Sequence, residues 1–483
     1  MNIPIRRLTV FLMVLFAALL LQVNWLQAIT AESLREADGN PRVNERKFDD
    51  PRGPILVGDQ QIAYSEATDE DAAYDYQRVY EDSEYYAHIT GFFSFYNETG
   101  VERAENSLLD GSDSRLAVRN FMDMISGEES EGASAHLTLD AGAQQAAVDG
   151  LRQYGDAGAA VALEPSTGEI LASASSPTFD ANPISSLDTE VSGEAMEELD
   201  ERIEEDNPML NRAFNERYPP GSTFKVLTAA AALENGASPD SEMDAPDSME
   251  LGGTLRNAGG MSCNGGDPDT LANSMQISCN TSFANWAMEL GGDEMHEQAS
   301  AFGFNQGPLE VPLDVTESLA PNESEDEFVL ARSGIGQGNL ETTPLQMAMV
   351  AGGIANDGDV MRPYVVDSMQ APDLQELTST DPEVYMPGAV SSSTASDLTE
   401  MMLLVTEEGG TGTNAAIPGV DVAGKTGTAQ AGDGRANHSW FISFAPADDP
   451  EIAVAVVIEH GGDGGGGSAA PVSRDIMEAV LQE

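Results

Sequence analysis

Residues 219–236 read PPGSTFKVLTAAAALENG and place a serine and a lysine at the start of an apolar helix pattern. The Pro-Pro-Gly at 219–221 prevents a helix from starting earlier, and the alanine-rich run from Val226 onward predicts one. Ser222 is therefore predicted at the helix N-terminus, with Lys225 one turn later on the same side. An N-capping role explains the serine. It does not explain the lysine, because a cation in the first turn opposes the helix dipole.

Lysine is the rare base in this chain, where 22 basic residues comprise 19 arginines and only Lys47, Lys225 and Lys425. Arginine supplies a plain positive charge but does not deprotonate in a protein. Burial and the helix dipole both disfavour an ammonium group, so they lower a lysine pKa toward values useful in a general base. Lys225 is therefore predicted to accept the hydroxyl proton of Ser222 and activate that serine as a nucleophile.

Two further short motifs follow along the chain. Ser-Cys-Asn at 278–280 precedes a helical pattern, and Lys-Thr-Gly-Thr at 425–428 lies within a strand pattern. A glycine in a strand often marks the close approach of a ligand or another backbone. Taken alone, each motif has an ordinary explanation, the first as a helix cap and the second as a surface turn. Two of only three lysines falling in such patterns, in this order, argues against accident.

Length and charge limit the possible classes of protein. A chain of 483 residues predicts two or three folded units. With 82 acidic against 22 basic residues, the formal net charge is −60. This balance excludes a large nucleic-acid surface, which needs clustered cations. A carboxylate shell repels itself and is screened by salt, so the acidity predicts a saline environment. GC-rich coding is the alternative explanation for the lysine shortage.

The amino terminus predicts export. Two arginines precede an apolar run at residues 8–29, and 22 helical residues span about 33 Å, enough for the hydrocarbon core. We predict a transmembrane anchor at 8–29 with a cytoplasmic tail at 1–7, and Trp25 suits the far interface. A cleaved signal peptide is the alternative, since polar residues interrupt the run after Leu21. No small-x-small cleavage site follows, which favours the anchor.

The exported part divides into two regions. Residues 30–135 form a small N-terminal module, with a hairpin pattern around Gly58-Asp59 and no constellation of catalytic type. Residues 136–483 open with a helix pattern from about Ala141 and a hairpin pattern around 165–168. This second region closes with three strand patterns and a final helix. Strands at both ends with helices between them predict an α+β fold, a sheet layered with helices.

Ser-x-x-Lys, Ser-x-Asn and Lys-Thr-Gly in this order resemble the penicillin-binding protein and serine β-lactamase superfamily. The stretches NPRVNERKFDDPRGPI, GIGQGNLETTPLQMA and HSWFISFAPADDPEIAVAVVIE narrow the resemblance to class B penicillin-binding proteins, the single-pass peptidoglycan D-Ala-D-Ala transpeptidases. The short module is similar to that of the compact A-type member associated with cell division. The resemblance covers about residues 40–60 and most of 136–483, and leaves 61–135 unmatched. It implies an antiparallel sheet layered with helices and a pedestal- or dimerisation-type module.

The resemblance also implies a role for each motif. Ser222 would attack the penultimate D-alanine carbonyl of a stem peptide, Lys225 would accept its proton, and a second stem-peptide amine would complete the cross-link. The other implied roles are proton relay and peptide binding by Ser278 and Asn280, positive potential from Lys425, carboxylate binding by the Thr426, Gly427 and Thr428 segment, and an oxyanion hole from the backbone N–H groups of Ser222 and Thr428, worth about 3 kcal/mol per donor.

The resemblance implies partners but no cofactor and no metal. The expected partners are peptidoglycan stem peptides, β-lactam antibiotics, the plasma membrane and proteins of division or cell-wall synthesis. The five histidines show no paired spacing, and DEMHEQAS is not the HExxH motif.

The two cysteines, Cys263 and Cys279, define neither a disulfide framework nor a zinc site. Cys279 lies between the two functional residues of the Ser-x-Asn motif, so we predict a Cys263–Cys279 disulfide that holds this loop. Closing a loop of that size is worth roughly 3 kcal/mol. The alternative is a pair of buried free thiols.

Other functions share parts of this pattern. A bifunctional glycosyltransferase–transpeptidase needs another large domain before residue 136, and 106 residues are too few. A β-lactamase is normally soluble and nearer half this length. A D,D-carboxypeptidase, a β-lactam sensor and a scaffold in a division complex remain open alternatives, and Lys47 has no assigned role.

Overall fold

The structure is a computed structural model that describes residues 2–28, 47–69, 72–126, 131–155, 157–320, 326–431, 434–462 and 464–482. The start of the NPRVNERKFDDPRGPI stretch, residues 40–46, lies outside these ranges. The α-helices among the described residues are α1 Asn2–Ala28, α2 Ser83–Thr90, α3 Gly100–Ala104, α4 Asn106–Leu109, α5 Ala117–Ser126, α6 Ala141–Tyr154, α7 Ala181–Ile184, α8 Thr189–Glu201, α9 Arg212–Asn215, α10 Lys225–Glu234, α11 Leu271–Gln276, α12 Asn280–Leu290, α13 Gly292–Ala301, α14 Glu327–Ser333, α15 Pro344–Ala355, α16 Ser392–Thr406 and α17 Ala469–Leu481.

The longer strands belong to two sheets, and the remaining strands form two-stranded pairs. The strands are β1 Ile55–Val57, β2 Gln60–Ala67, β3 Tyr76–Tyr80, β4 Ser134–Leu137, β5 Gly158–Leu163, β6 Ile170–Ser176, β7 Glu242–Met243, β8 Ser248–Glu250, β9 Thr254–Arg256, β10 Asp269–Thr270, β11 Leu309–Glu310, β12 Asp314–Val315, β13 Val360–Met361, β14 Val366–Gln370, β15 Glu376–Ser379, β16 Val384–Met386, β17 Ala423–Ala429, β18 His438–Ala445 and β19 Ile452–Ile458.

The central sheet has the order β17-β18-β19-β5-β6, and every neighbouring pair is antiparallel. All residues of β18 and β19 are buried because helices cover both faces. Along β19, Val454 and Val456 belong to the apolar cluster shared with α6 and α17, whereas Ala455 and Val457 belong to the cluster that includes α15. This alternation follows from the two-residue period of a strand. The predicted α+β class with an antiparallel layered sheet is confirmed.

Short-range sequence features determine where α6 begins, where the β5–β6 hairpin turns and how closely α6 and α17 pack. Asp140 caps α6 by accepting a hydrogen bond from the backbone N–H of Ala143 at 2.6 Å, so the helix begins where the apolar pattern predicts. The β5–β6 hairpin turns at the predicted residues 165–168. On the outer face, Gly150 of α6 leaves room for the side chain of Val472 on α17.

A second sheet lies in the N-terminal region, with the order β15-β14-β4-β1-β2-β3. Strands β1 and β2 form the predicted hairpin, and Gly58 takes a positive φ of 55° at its turn. Strands β1 and β4 are parallel, and the other neighbouring pairs are antiparallel. Since β14 and β15 come from residues 366–379, this sheet joins strands from both sides of residue 135.

An ion cluster is buried beside this sheet. Glu102 is fully buried, with its carboxylate 2.9 Å from an Arg52 nitrogen and 2.6 Å from Arg78. Burial alone opposes ionisation of this carboxyl group, but the two guanidinium groups outweigh it and hold the pKa of Glu102 below its ordinary value.

Lys47, unassigned from the sequence, lies in the same region. Its ammonium nitrogen donates to the Ser94 carbonyl at 3.1 Å, lies 3.5 Å from the Glu98 carboxylate and 4.5 Å from the centre of the Phe93 ring. These contacts hold the first described segment of the module to the loop at 93–98 and give Lys47 a structural role.

Helix α1 covers Asn2–Ala28. Across the ranges described, no helix combines the length and apolar character needed to cross a membrane. The anchor at residues 8–29 stays a prediction, and residue 29 itself lies outside the described ranges.

Candidate active site

Ser222 lies in a single 3₁₀ turn, Gly221–Phe224, and α10 begins directly after it at Lys225. The predicted helix start is therefore correct in place, but its first turn is tighter than an α-turn. The indole N–H of Trp440 donates to the Pro219 carbonyl at 3.0 Å, and the preceding segment is thereby tied to the central sheet. This anchoring holds the Ser222 backbone at the mouth of a cleft.

Gly221 is the point where the nucleophile turn meets β17. Its φ is +55°, and a Cβ there would overlap the carbonyl oxygen of Thr428. In an antiparallel strand the N–H and C=O groups of one residue point the same way. The Thr428 N–H therefore points from the free edge of β17 toward the turn that carries Ser222, as an oxyanion hole requires.

Gly336 supports the same turn from the other side. Its carbonyl accepts a hydrogen bond from the Gly221 N–H at 2.9 Å, and a Cβ at Gly336 would overlap the Gly221 backbone. Gly336 belongs to the stretch GIGQGNLETTPLQMA, which carries the family resemblance but gives this glycine no role of its own. The glycine spacing in that stretch was the available signal for this close approach.

Lys225 is fully buried beneath the cleft. Its ammonium nitrogen lies 2.7 Å from the Ser278 carbonyl, 2.7 Å from the Asn280 side-chain oxygen and 3.2 Å from the Ser278 hydroxyl. Burial lowers the pKa of Lys225 well below its ordinary value, and the charge of Lys425 lowers this pKa further. From the sequence, burial and the helix dipole are expected to lower this pKa. In the structure, burial is the larger cause and the charge of Lys425 is the second.

Lys425 is also fully buried, in β17. Its nitrogen lies 2.8 Å from the Ser278 hydroxyl and 2.9 Å from the Thr426 carbonyl. Burial lowers the pKa of Lys425 to about 7. Within the described part of the chain, Lys425 forms no ion pair with a carboxylate. Its charge is therefore free to attract an anionic ligand, and its proton is exchangeable near neutral pH.

The Ser-x-Asn motif is held in an unusual backbone conformation. Ser278 takes a φ of +59°, and α12 begins at Asn280. The buried Asn257 side chain accepts hydrogen bonds from the backbone N–H groups of Asn280, at 2.9 Å, and Thr281, at 3.1 Å. Asn257 is not among the site residues predicted from the sequence. A nearby disulfide, Cys263–Cys279, joins the segment containing Asn257 to the motif.

One open cleft of about 740 Å³ brings the predicted side chains together. Ser222, Ser278, Asn280, Thr426 and Thr428 line it, while the two lysines lie at its base. The glycine-rich residues 464–467 form part of its wall, where the Gly465 N–H donates to the Gly427 carbonyl at 3.1 Å. The hydroxyl oxygens of Thr411 and Thr426 lie 2.7 Å apart.

This arrangement suits acyl transfer to a serine. Ser222 lines the cleft, burial and the charge of Lys425 favour a neutral amine on Lys225, and the edge of β17 that carries the Thr428 N–H faces the Ser222 turn. The Lys425 ammonium group and the Thr426 and Thr428 hydroxyls are groups that bind a carboxylate. Fold and site together define the class of a serine acyltransferase, with a buried lysine one turn after the serine.

The comparisons with known proteins give the family. Residues 158–478 match the penicillin-binding protein transpeptidase domain, and residues 52–135 match the penicillin-binding protein A dimerisation domain. The chain belongs to the penicillin-binding protein transpeptidase family, as the three motifs predict. The second match covers all of 61–135, where the motifs gave no resemblance.

Full-length relatives point to one branch of the family. The chain is 42% identical over 500 residues to the peptidoglycan D,D-transpeptidase PbpA of Mycolicibacterium smegmatis, covering 100% of both chains. It is 42% identical over 499 residues to PbpA of Mycobacterium tuberculosis, covering 100% of this chain and 99% of the relative. The imipenem acyl-enzyme complex of M. tuberculosis penicillin-binding protein A is similar at a TM-score of 0.86 and 41% identity, covering 90% of this chain and 100% of that one.

Proposed function

We propose that this chain is a peptidoglycan D,D-transpeptidase that cross-links stem peptides through an acyl-enzyme on Ser222 and is acylated by β-lactams at the same residue. The observation that carries the proposal is the pair of fully buried lysines, Lys225 and Lys425, that both contact the Ser278 hydroxyl. A structural role alone does not require two buried lysine side chains on one oxygen, because burying an ammonium group without a countercharge is costly.

In the first half-reaction, the Ser222 oxygen attacks the carbonyl carbon of the penultimate D-alanine. Its proton passes to the neutral amine of Lys225, and the backbone N–H groups of Ser222 and Thr428 hold the oxyanion. The C–N bond then breaks. The proton moves from Lys225 through the Ser278 hydroxyl to the departing D-alanine amine. The Thr426 and Thr428 hydroxyls hold the terminal carboxylate, and Lys425 supplies positive potential beside it.

In the second half-reaction, the amine of another stem peptide attacks the acyl carbon. The amine loses its proton along the same route, and the Ser222 oxygen takes that proton as it leaves. Water in place of the amine would give D,D-carboxypeptidase activity. The transpeptidase names of the full-length relatives favour the amine acceptor.

The direct test labels the full-length protein, purified in detergent, with fluorescent penicillin. Ser222→Ala should abolish the label, whereas Ser393→Ala, an exposed serine outside the cleft, should leave it unchanged. Undiminished labelling of Ser222→Ala would refute the nucleophile. Rapid multiple turnover of nitrocefin would move the protein to the β-lactamases, and D-alanine release that does not depend on an added amine would favour the carboxypeptidase.

We also propose that the catalytic domain works outside the plasma membrane, at sites of division, with residues 8–29 as its anchor. Support comes from the exposed apolar side chains of α1 at Leu8, Phe11 and Leu15 and from the disulfide, which suits an oxidising compartment. Carbonate washing of cell membranes tests the anchor, since an anchored protein stays in the pellet and a peripheral one is released.

Septal fluorescence of a tagged protein tests the division role, and uniform wall fluorescence would contradict it.

The acidic composition supports a third proposal, adaptation to saline surroundings. A net charge of −60 repels itself, and added salt screens that repulsion. Fluorescent-penicillin labelling should therefore strengthen as salt is added. Maximal labelling near zero salt would overturn this proposal and leave the enzymatic one intact.

A further inference from the structure

The cleft differs in charge from the rest of the chain. Of the 483 residues, 82 are acidic, yet none of the 23 described residues that line the cleft is an aspartate or glutamate. The charged side chains among them are those of Arg256 and Arg332. An acid-free wall in so acidic a protein favours an anionic ligand, because nearby carboxylates would repel it.

The two cleft arginines, together with Arg435 outside the cleft lining, differ in their partners from the other arginines described after residue 46. Eleven of the fourteen arginines described after residue 46 form ion pairs with carboxylates. Arg256 and Arg332 form none with any residue that the structure describes, although acidic side chains are abundant. Their guanidinium groups are therefore available to a ligand.

Packing joins the two segments that carry these arginines. Arg256 ends β9 and Arg332 lies in α14; Gly253, one residue before β9, packs against the ring of Phe328 in α14, and both arginines line the same cleft. The guanidinium carbon of Arg332 lies 5.8 Å from the centre of that ring, which restricts its position.

Arg256 is directly connected to the catalytic network. Its backbone carbonyl accepts a hydrogen bond from the side-chain nitrogen of Asn280 at 2.8 Å, and the oxygen of the same amide accepts from Lys225 at 2.7 Å. Arg256 thus lines the cleft beside the Ser-x-Asn motif. The terminal carboxylate has other ligands in the proposed reaction, Thr426 and Thr428, and both belong to β17.

We propose that Arg256 and Arg332 form a second carboxylate subsite, which binds an acidic group on the donor peptide upstream of its terminal D-alanines. The subsite rests on the proposed transpeptidase function. A guanidinium group binds a carboxylate through two parallel hydrogen bonds. The enzyme therefore prefers donors that carry this additional carboxylate over neutral ones.

The test compares benzylpenicillin with carbenicillin, which carries one additional carboxylate on the side chain. The ratio of their acylation rate constants, carbenicillin over benzylpenicillin, is measured for the full-length protein by intact mass. In the double variant Arg256→Gln/Arg332→Gln this ratio should fall roughly tenfold, because a hydrogen bond to a charged group contributes about 1.5 kcal/mol or more. Each single variant should show part of the fall.

Two controls separate a subsite from general charge. Arg362→Gln removes an arginine paired with Glu383 outside the cleft and should leave the ratio unchanged. Arg256→Lys/Arg332→Lys keeps the charge but loses the paired hydrogen bonds, so its ratio should lie between those of wild type and the Gln variant. An unchanged ratio in the Gln double variant, or an equal fall in Arg362→Gln, would overturn the subsite. Failure of wild type to be acylated by either penicillin would instead refute the proposed function.

Discussion

Lys225 and Lys425 converge on one hydroxyl group, with their nitrogens 3.2 Å and 2.8 Å from the Ser278 oxygen. Both side chains are fully buried, so neither ammonium is well solvated, and the charge of Lys425 disfavours a proton on Lys225. The site therefore favours a neutral Lys225 beside a charged Lys425. Ser278 connects the two and is placed to pass a proton between them.

The charge of Lys425 should make the acylation rate depend on pH near neutrality. Its charged form attracts the substrate carboxylate and is lost as pH rises through its pKa of about 7. Benzylpenicillin acylation should therefore decline on the alkaline side in wild type. Lys425→Arg stays charged, so its lower overall rate should show no such decline. The measurement is the acylation rate constant of both proteins across pH. If the variant showed the same alkaline decline as wild type, a group other than Lys425 would cause that decline.

Gly221→Ala should slow acylation of Ser222 by displacing the turn that carries this serine. Its Cβ would overlap the Thr428 carbonyl, and a displacement of about 1 Å costs roughly 100-fold in rate. Gly388→Ala is the matched control, because its φ of +59° is similar and open space surrounds it. That control should lose only about 1–2 kcal/mol of stability from left-handed strain. Similar acylation rates in the two variants would exclude the overlap as the cause.

Asn257 should act as a positioning residue for the Ser-x-Asn motif. Asn257→Ala removes the acceptor for the Asn280 and Thr281 backbone N–H groups, at a cost of about 1 kcal/mol in stability. The acylation rate should also fall, because Asn280 accepts a hydrogen bond from Lys225. Asn257→Asp keeps an acceptor oxygen and should retain more of both. The measurements are the thermal unfolding temperature and the acylation rate of each variant. If Asn257→Ala and Asn257→Asp gave the same values, the positioning role of Asn257 would be contradicted.

Glu102 should stabilise the N-terminal module without affecting chemistry. Glu102→Gln leaves Arg52 and Arg78 buried without a countercharge and should cost about 3–5 kcal/mol. Glu383→Gln breaks an exposed pair and should cost no more than about 1 kcal/mol. Urea unfolding measures both. Equal midpoints would show that the buried cluster contributes little.

The sequence was sufficient to predict the central sheet and the site motifs for physical reasons. β19 is a continuous apolar run, as a strand buried on both faces must be, and α6 has a capping aspartate before its apolar stripe. Lys225 and Lys425 were identifiable because lysine is scarce and arginine cannot serve as a base.

The remaining features depend on contacts between distant segments. Asn257 lies 23 positions before Asn280, and no local pattern distinguishes a long-range cap from a loop residue. The six-stranded sheet recruits residues 366–379, which no periodicity links to β1 and β4. The effect of Lys425 on the pKa of Lys225 likewise requires that two segments 200 positions apart meet at Ser278.

The central claim is that Lys225 must lose a proton for Ser222 to attack. The most direct measurement is the benzylpenicillin acylation rate constant of Lys225→Arg across pH, with Lys425→Arg as the matched control. The guanidinium group cannot act as a base, so Lys225→Arg should lose at least about 100-fold at every pH and recover nothing on the alkaline side. Lys425→Arg should lose much less. Acylation of Lys225→Arg within tenfold of wild type would contradict the account.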